Sequence, residues 1–259
     1  MTLVEAEYLN QVKKLADLLL SAKYPMALTG AGVSTESGIP DFRSPGTGLW
    51  EKIDPVKELS RDALESDPAR FYEVGLPRFI RILKAEPNPA HLVLARLEEK
   101  GLLRGVITQN IDGLHVKAGS RNVFEVHGHL RTCFCLKCGK EDVFGFLVDS
   151  VQKGINPPLC RYCKDGVLRP HVVLFHDPMP RAFYAAAEAL QDCDFLIIAG
   201  SSLQVYPVAY LPARVEKLAI INLMPTPYDD KARVVIRERA GKVLADLWKI
   251  LAEQESAVF

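Results

Sequence analysis

The sequence predicts an α/β fold, a parallel doubly wound sheet carrying two insertions, on three observations. Short, mainly apolar runs at 26–28, 102–107, 123–126, 172–175, 195–199 and 218–223 have strand length and alternate with helix-like segments. Such runs suit strands covered on both faces, as strands of a parallel sheet are. Polar residues follow several of the runs directly, at the strand ends where open α/β sheets bind their ligands. Residues 44–87 and 128–168 break the alternation and are expected to be insertions, the second holding five of the six cysteines.

Taken in order, Thr2-Leu3-Val4-Glu5 has the form of a capping box that opens a helix. Val4, Tyr8, Val12, Leu15 and Leu19 are expected to line its inner face. The strand at 26–28 leads into Thr29-Gly30-Ala31-Gly32-Val33-Ser34-Thr35-Glu36-Ser37-Gly38-Ile39-Pro40-Asp41-Phe42-Arg43. Glycines at 30 and 32 let the chain turn tightly and bring backbone N–H groups close to a phosphate, and the hydroxyl residues add donors. By itself the pattern also fits a glycine-rich surface turn. A dinucleotide fingerprint wants a third glycine where Thr35 stands. It also wants an acid closing a strand about 20 residues on, and Glu51 lies instead in the polar run Trp50-Glu51-Lys52.

Residues 44–87 carry short helical patterns around Phe71-Tyr72 and Phe79-Ile80. An amphipathic helix over 90–100 is closed by Gly101. The run at 102–107 is followed by Thr108-Gln109-Asn110-Ile111-Asp112, that at 123–126 by His127, and that at 195–199 by Gly200-Ser201-Ser202; Asn222 closes the run from Leu218. Any one of these residues could be a helix cap or turn residue. Their common position at strand ends points to a ligand crevice. Val243, Leu244, Leu247, Ile250 and Leu251 mark a last helix.

Lysine plus arginine and aspartate plus glutamate each total 32, so the net charge is zero and no basic excess drives nucleic-acid binding. No apolar run approaches the roughly 18 residues of a membrane span, and the N-terminus lacks a signal-peptide pattern. A soluble, cytoplasmic protein with no membrane partner is expected.

Cys135-x-x-Cys138 and Cys160-x-x-Cys163 are separated by 21 residues. Two-residue gaps let two thiolates of one turn reach the same ion, and two such turns complete a tetrahedral zinc site. Disulfides do not suit an intracellular chain, and nothing else argues for an iron–sulfur cluster. Four thiolates leave no open position for a catalytic water, so the zinc is expected to be structural. Cys133 falls outside the knuckle spacing and Cys193 fits ordinary packing.

His127, in Phe124-Glu125-Val126-His127-Gly128, ends a strand just before the cysteine insertion. A histidine there is either a hydrogen-bonded core residue or a general base, for which its ordinary pKa near 6.5 is suited. Together these segments resemble the sirtuins, the silent-information-regulator family of NAD-dependent protein lysine deacylases, in their short bacterial and archaeal form. The matching pieces are Gly30-Ala31-Gly32-Val33-Ser34, Gly38-Ile39-Pro40-Asp41-Phe42-Arg43, Thr108-Gln109-Asn110-Ile111-Asp112-Gly113-Leu114-His115, His127-Gly128, the four cysteines, Gly200-Ser201-Ser202-Leu203 and Asn222-Leu223. They stand in family order and span most of the chain.

The resemblance implies a Rossmann-like domain at 1–43, 88–127 and 169–259. The small domain would be built from a helical module at 44–87 and a zinc module at 128–168. NAD and an acetylated protein or peptide would meet in the cleft between them. Gly30, Ala31, Gly32, Ser34 and Thr35 would cradle the pyrophosphate, with Arg43 near the phosphates or the lid. Gln109 would bind the nicotinamide ribose, and Asn110, Ile111 and Asp112 the nicotinamide, Asp112 accepting from its carboxamide. Phe42 would cover the reactive face. Gly200, Ser201, Ser202, Asn222 and Leu223 would bind on the adenosine side, with Ala240 against the adenine. The implied catalytic residues are His127 and Asn110. The peptide would add as a strand between 172–175 and the loop around 203–206, in contact with Leu203 and Val205. Val172, Val173 and Phe175 would line the acyl-lysine tunnel.

The chemistry so implied consumes NAD. The acyl oxygen attacks C1′ of the nicotinamide ribose to give an imidate, and His127 takes a proton from the ribose hydroxyls. Water then releases lysine and O-acyl-ADP-ribose. After Phe175 many relatives have Gly-Glu, where this chain has His176-Asp177. Members that prefer succinyl-lysine carry a Tyr-x-x-Arg pair, and alignment through Gly48-Leu49-Trp50 puts Tyr72 and Gly75 at those positions, with Arg78 one turn further on. An ADP-ribosyltransferase would use the same cleft. A hydride-transferring dehydrogenase lacks its fingerprint here, and a zinc-ribbon nucleic-acid binder lacks the charge.

Overall fold

The computed structural model describes residues 2–41 and 54–256, so the expected contacts Phe42 and Arg43 lie outside the described residues. The first helix, α1 (Leu3–Ser21), opens on the expected capping box: Thr2 Oγ1 accepts from the Glu5 N–H, and Glu5 Oε2 accepts from the Thr2 N–H at 2.7 Å. Val12, Leu15, Ala16 and Leu19 are buried, but Val4 is 78% exposed. The inner stripe therefore starts a turn later than the spacing predicts, at Tyr8, whose hydroxyl donates to Asp246.

Strand β1 (Pro25–Thr29) passes into a 3-10 helix (Ala31–Ser37), then come α2 (Pro55–Glu58), α3 (Arg61–Ser66), α4 (Pro68–Leu83) and α5 (Pro89–Glu99). They are followed by β2 (Val106–Thr108), α6 (Leu114–Lys117), β3 (Val123–Glu125), β4 (Gly128–Cys135), β5 (Glu141–Val143), α7 (Phe144–Gln152) and β6 (Leu168–Val172). The chain closes with α8 (Arg181–Ala189), β7 (Phe195–Ala199), β8 (Leu218–Ile221), β9 (Val234–Ile236) and α9 (Ala240–Ser256).

Six strands form a parallel sheet in the order β3-β2-β1-β7-β8-β9. Alternate residues of each central strand serve opposite faces. Ala27 and Ile197 pack with α1, α5 and α9, while Met26, Leu28, Leu196 and Ile198 pack with α8 and the 3-10 helix Val208–Arg214. Both faces are covered, which is why these strands carry no polar alternation. The order reverses between β1 and β7, so their carboxyl ends flank a switch-point crevice.

A second sheet, β5-β4-β6, is antiparallel. It packs with α4 and α7 around Phe71, Tyr72, Phe79, Phe144, Leu147 and Leu168. Three sequence expectations change here. The apolar run at 172–175 is not a strand of the main sheet; only Val172 is in a strand, β6, paired to Gly128. Within 102–107 the chain enters the sheet only at Val106, because Leu102 and Leu103 donate back to the Leu97 carbonyl to close α5. Strand β9 carries no readable pattern, being three residues between Arg233 and Arg237.

Tyr72 ties α4 to the second sheet. It is fully buried, stands edge-on to Phe71 at 5.2 Å, and donates its hydroxyl to the Leu168 carbonyl at 2.5 Å. Tyr72→Phe keeps the ring and removes the donor, so urea unfolding should show a loss of about 1–2 kcal/mol with an unchanged m-value. A variant as stable as the parent would show that the Leu168 carbonyl gains nothing from this bond.

Candidate active site and metal centre

The crevice is assembled from strand ends whose backbones touch. Gly30 donates to the Ala199 carbonyl at 3.1 Å and Gly32 to the Gly200 carbonyl at 2.9 Å. A Cβ on Gly32 would stand 2.7 Å from Gly200 Cα, and one on Gly200 would stand 2.4 Å from the Val33 nitrogen. Gly200 also has φ +60°, so a side chain is doubly excluded. The loop after β1 is thus pinned to the end of β7, with the N–H groups of both glycines spent on that seam.

Behind the loop lies a buried polar network. Ser34 is 1% exposed; its hydroxyl donates to Asp112 Oδ2 at 2.7 Å and accepts from Asn110 Nδ2 at 3.0 Å. Asn110 Nδ2 also donates to the Gly30 carbonyl, and the Leu114 N–H donates to Asp112 Oδ1. Burial pushes the Asp112 carboxyl up, against the pull of the Leu114 and Ser34 bonds. The Ser34 side chain therefore serves Asp112 and Asn110, where the sequence reading expects it on the pyrophosphate. Thr35 Oγ1 donates to the Gly32 carbonyl.

Sequence reasoning missed the base of this network. His91 Nε2 lies 3.3 Å from Ser34 Oγ while its Nδ1 accepts from the Asn88 N–H, and His115 Nε2 lies 2.9 Å from Thr29 Oγ1. Burial holds His91 down at about 4 and His115 well below its ordinary value. In the sequence, Asn88-x-x-His91 reads only as a helix cap, which it also is.

His127 stands between β3 and β4. Its Nδ1 lies 2.9 Å from the Gln109 carbonyl, which can only accept, so Nδ1 carries the hydrogen and Nε2 keeps its lone pair. Burial lowers its pKa, opposed by the Gln109 bond, so the ring is neutral at pH 7. Gln109 Nε2 donates to Ser201 Oγ at 2.8 Å, linking the ends of β2 and β7. The backbone continues the chain of contacts: Val173 N–H donates to the His127 carbonyl at 2.8 Å. Val172 and Leu203 are buried, and Val173, Phe175 and Val205 are half-buried.

On the other flank, Asn222 Nδ2 donates to the Met224 carbonyl at 2.7 Å, Leu223 is 56% exposed, and Ala240 is buried at the start of α9. Ser202 is half-buried. His176, at φ +72°, is exposed and sits 2.6 Å from Asp62 of α3; Asp177 pairs with Arg169.

The four expected cysteines come together. Their sulfurs all lie within 4.8 Å of one another, with Cys135–Cys163 at 3.6 Å and Cys138–Cys160 at 3.8 Å. Tetrahedral Zn–S bonds of about 2.3 Å put sulfurs about 3.8 Å apart, so the donor set fits zinc. N–H groups of Lys137 and Cys138 point at Cys135 Sγ, and that of Gly166 at Cys163 Sγ, stabilising thiolates. Cys133 is outside the cluster, its thiol turned to the Val143 carbonyl and pushed up to about 12 by burial.

This architecture and site define an NAD-type crevice beside a cysteine-held metal module, and comparison identifies the class. The Sir2 family model matches residues 30–207. The NAD-dependent protein deacetylase 2 of Caldanaerobacter subterraneus subsp. tengcongensis is 53% identical over 242 residues, 93% of this chain and 96% of that protein. The NAD-dependent protein deacetylase of Caldivirga maquilingensis is 46% identical over 242 residues, 92% and 93% of the two chains. A solved Sir2 with deacetylated p53 peptide and 3′-O-acetyl ADP ribose superposes with a TM-score of 0.87 at 37% identity, covering 92% of this chain and 97% of that one. A Sir2–p53 peptide–NAD+ structure gives 0.84 at 36% identity, covering 93% and 98%. The chain belongs to the Sir2 family.

Metal analysis of single variants tests the ligand set. Cys135→Ala or Cys163→Ala should lose about one zinc per chain together with most of the folded protein, because structural zinc binding is folding free energy. Cys133→Ala and Cys193→Ala should keep the metal; zinc loss on Cys133→Ala would overturn the assignment.

Proposed function

We propose that this chain is an NAD-dependent protein lysine deacetylase, a transferase that moves the acetyl group of acetyl-lysine to ADP-ribose and releases nicotinamide. The observation that carries the reading is His127, neutral and held by the Gln109 carbonyl so that Nε2 is its free proton acceptor, beside the buried Asn110–Ser34–Asp112 network. NAD, as co-substrate, supplies the ADP-ribose acceptor and the departing nicotinamide.

The chain's residues bind, orient and exclude water. Gly30, Ala31, Gly32 and Thr35 hold the pyrophosphate, and Gly200, Ser201, Ser202, Asn222, Leu223 and Ala240 the adenosine side. Gln109, whose amide is fixed on Ser201, faces the nicotinamide ribose. Asn110, Ile111 and Asp112 hold the nicotinamide, with Ser34 fixing the carboxylate, and Phe42 and Arg43 close the site. Val172, Val173, Phe175, Leu203 and Val205 flank the acyl-lysine. His127 Nε2 takes the ribose proton. The small domain comprises 44–87 and 128–168, and the Rossmann-like domain the remainder; the protein works in the cytoplasm.

His127→Ala should cut deacetylation by about 10²- to 10⁴-fold while leaving NAD binding and zinc content near those of the parent. A base must be neutral to act, and burial sets this one below 6.5. The rate should therefore be flat from pH 7 to 8 and fall as pH drops through that lowered pKa. Mass spectrometry of an acetylated peptide with and without NAD reads both results. A variant within a few-fold of the parent would make His127 a packing residue.

The acyl group is the second test. The Tyr72 hydroxyl is committed to the Leu168 carbonyl inside the core, and Gly75 offers no charge. A succinyl carboxylate would thus enter unpaired, at a cost of several kcal/mol. kcat/KM for an acetyl-lysine peptide should exceed that for its succinyl counterpart at least about tenfold, or about 1.4 kcal/mol. Equal efficiencies would point to Arg78, whose guanidinium donates to the Val74 carbonyl of its own helix.

A further inference from the structure

The loop after β8 is knitted by one guanidinium. Arg237, in the link between β9 and α9, donates from Nη1 to the carbonyls of Asn222 and Met224, each at 3.2 Å, and from Nη2 to Asp229 Oδ2. Asp229 in turn accepts from the Thr226 N–H at 3.1 Å and from its hydroxyl at 2.8 Å. One side chain therefore spans three acceptors on a segment of eight residues, 222–229. The Met224 carbonyl it holds is the same one that fixes the Asn222 carboxamide, at 2.7 Å. That leaves Asn222 Oδ1 as the amide atom without a partner among the described residues, an acceptor for a hydroxyl donor.

The same loop presents Leu223 and Met224 to solvent, 56% and 54% exposed, at the carboxyl end of a sheet strand. Apolar side chains held outward at the mouth of a crevice suit a flat ligand that covers them. The Asp229 carboxylate largely neutralises the guanidinium, so its effect is geometric and not a long-range attraction for phosphate. A lysine could not replace it, because an ammonium lacks the planar fork that reaches three acceptors.

We infer that Arg237 is the positioning residue for the adenosine half of the co-substrate, holding Asn222 and Leu223 in their binding arrangement without touching the reacting atoms. This rests on the reading of the crevice as an NAD site. Removing Arg237 would free the Met224 carbonyl and let the Asn222 amide turn away, so ligands that share the ADP-ribose portion should all weaken by the same factor.

Calorimetry with ADP-ribose, and separately NAD, on the zinc-loaded full chain tests this with Arg237→Ala and Arg237→Lys. Both variants should bind each ligand about tenfold more weakly, with KM for NAD raised by the same factor. Their kcat at saturating NAD and KM for the acetyl peptide should stay within twofold of the parent. Asp229→Asn, which leaves the Asn222 and Met224 carbonyls in place but removes the charge and one of the two carboxylate acceptors, should weaken binding about threefold, and it serves if the arginine variants fold poorly. Affinities within twofold of the parent in all folded variants would overturn the inference, as would a fall in kcat at unchanged KM. A parent chain that binds neither ligand would instead overturn the NAD reading itself.

Discussion

The contact on which the structure depends is the meeting of two backbones at the switch point, Gly30 and Gly32 against Gly200. Parallel strands β1 and β7 run side by side, and the chain leaves both in the same direction at Thr29 and Ala199. Their exit segments must either splay apart or touch. Here they touch, and the approach leaves no room for a Cβ on any of the three glycines. Everything the crevice offers is placed relative to that seam. Gly30 gives its carbonyl to Asn110, Val33 and Ser34 follow on the 3-10 helix, and Gly200 delivers Ser201 to Gln109.

A second consequence is that the polar groups are arranged in depth. The outer residues, Gln109, Asn110 and Asp112, are oriented by Ser201, Ser34 and Gly30; beneath them His91 and His115 are neutral and fully enclosed. Taking a proton there would put an unpaired charge away from solvent, which is why burial depresses both histidines. A neutral imidazole offers one donor and one acceptor, and His91 uses both: its Nδ1 accepts from Asn88, so Nε2–H points at Ser34. The Ser34 hydroxyl is then obliged to spend its own hydrogen on Asp112. Direction is set by counting donors.

The fold and the outer site were legible because each was written locally. Apolar runs encoded doubly covered strands, the cysteine pairs encoded a tetrahedral donor set, and His127 and the polar segment from Gln109 to Asp112 followed strands. What stayed hidden depended on chain segments far apart. Nothing in Asn88-x-x-His91 says that His91 lies under Ser34, 57 positions earlier. Ser34 was placed on a phosphate because a hydroxyl in a glycine loop reads that way, and only the approach of Asp112 redirects it. The run at 172–175 has the composition of a core strand; its neighbour His127 takes it out of the main sheet by binding Val173.

That last bond ties the cysteine module to His127. His127 is the final residue before β4, and β4 ends in Cys135, so the cysteine module begins one residue after His127. Gly128 takes φ +79°, and a Cβ there would stand 2.0 Å from the His171 carbonyl of β6. The link between His127 and the cysteine module is thus pressed against the strand that leads to Val173. The imidazole is held from one side by the Gln109 carbonyl just after β2, and its backbone carbonyl from the other by the Val173 N–H just after β6. A cysteine cluster at the end of β4, where Cys135 pairs with Leu168 of β6, therefore lies on the same pair of strands that holds the His127 backbone.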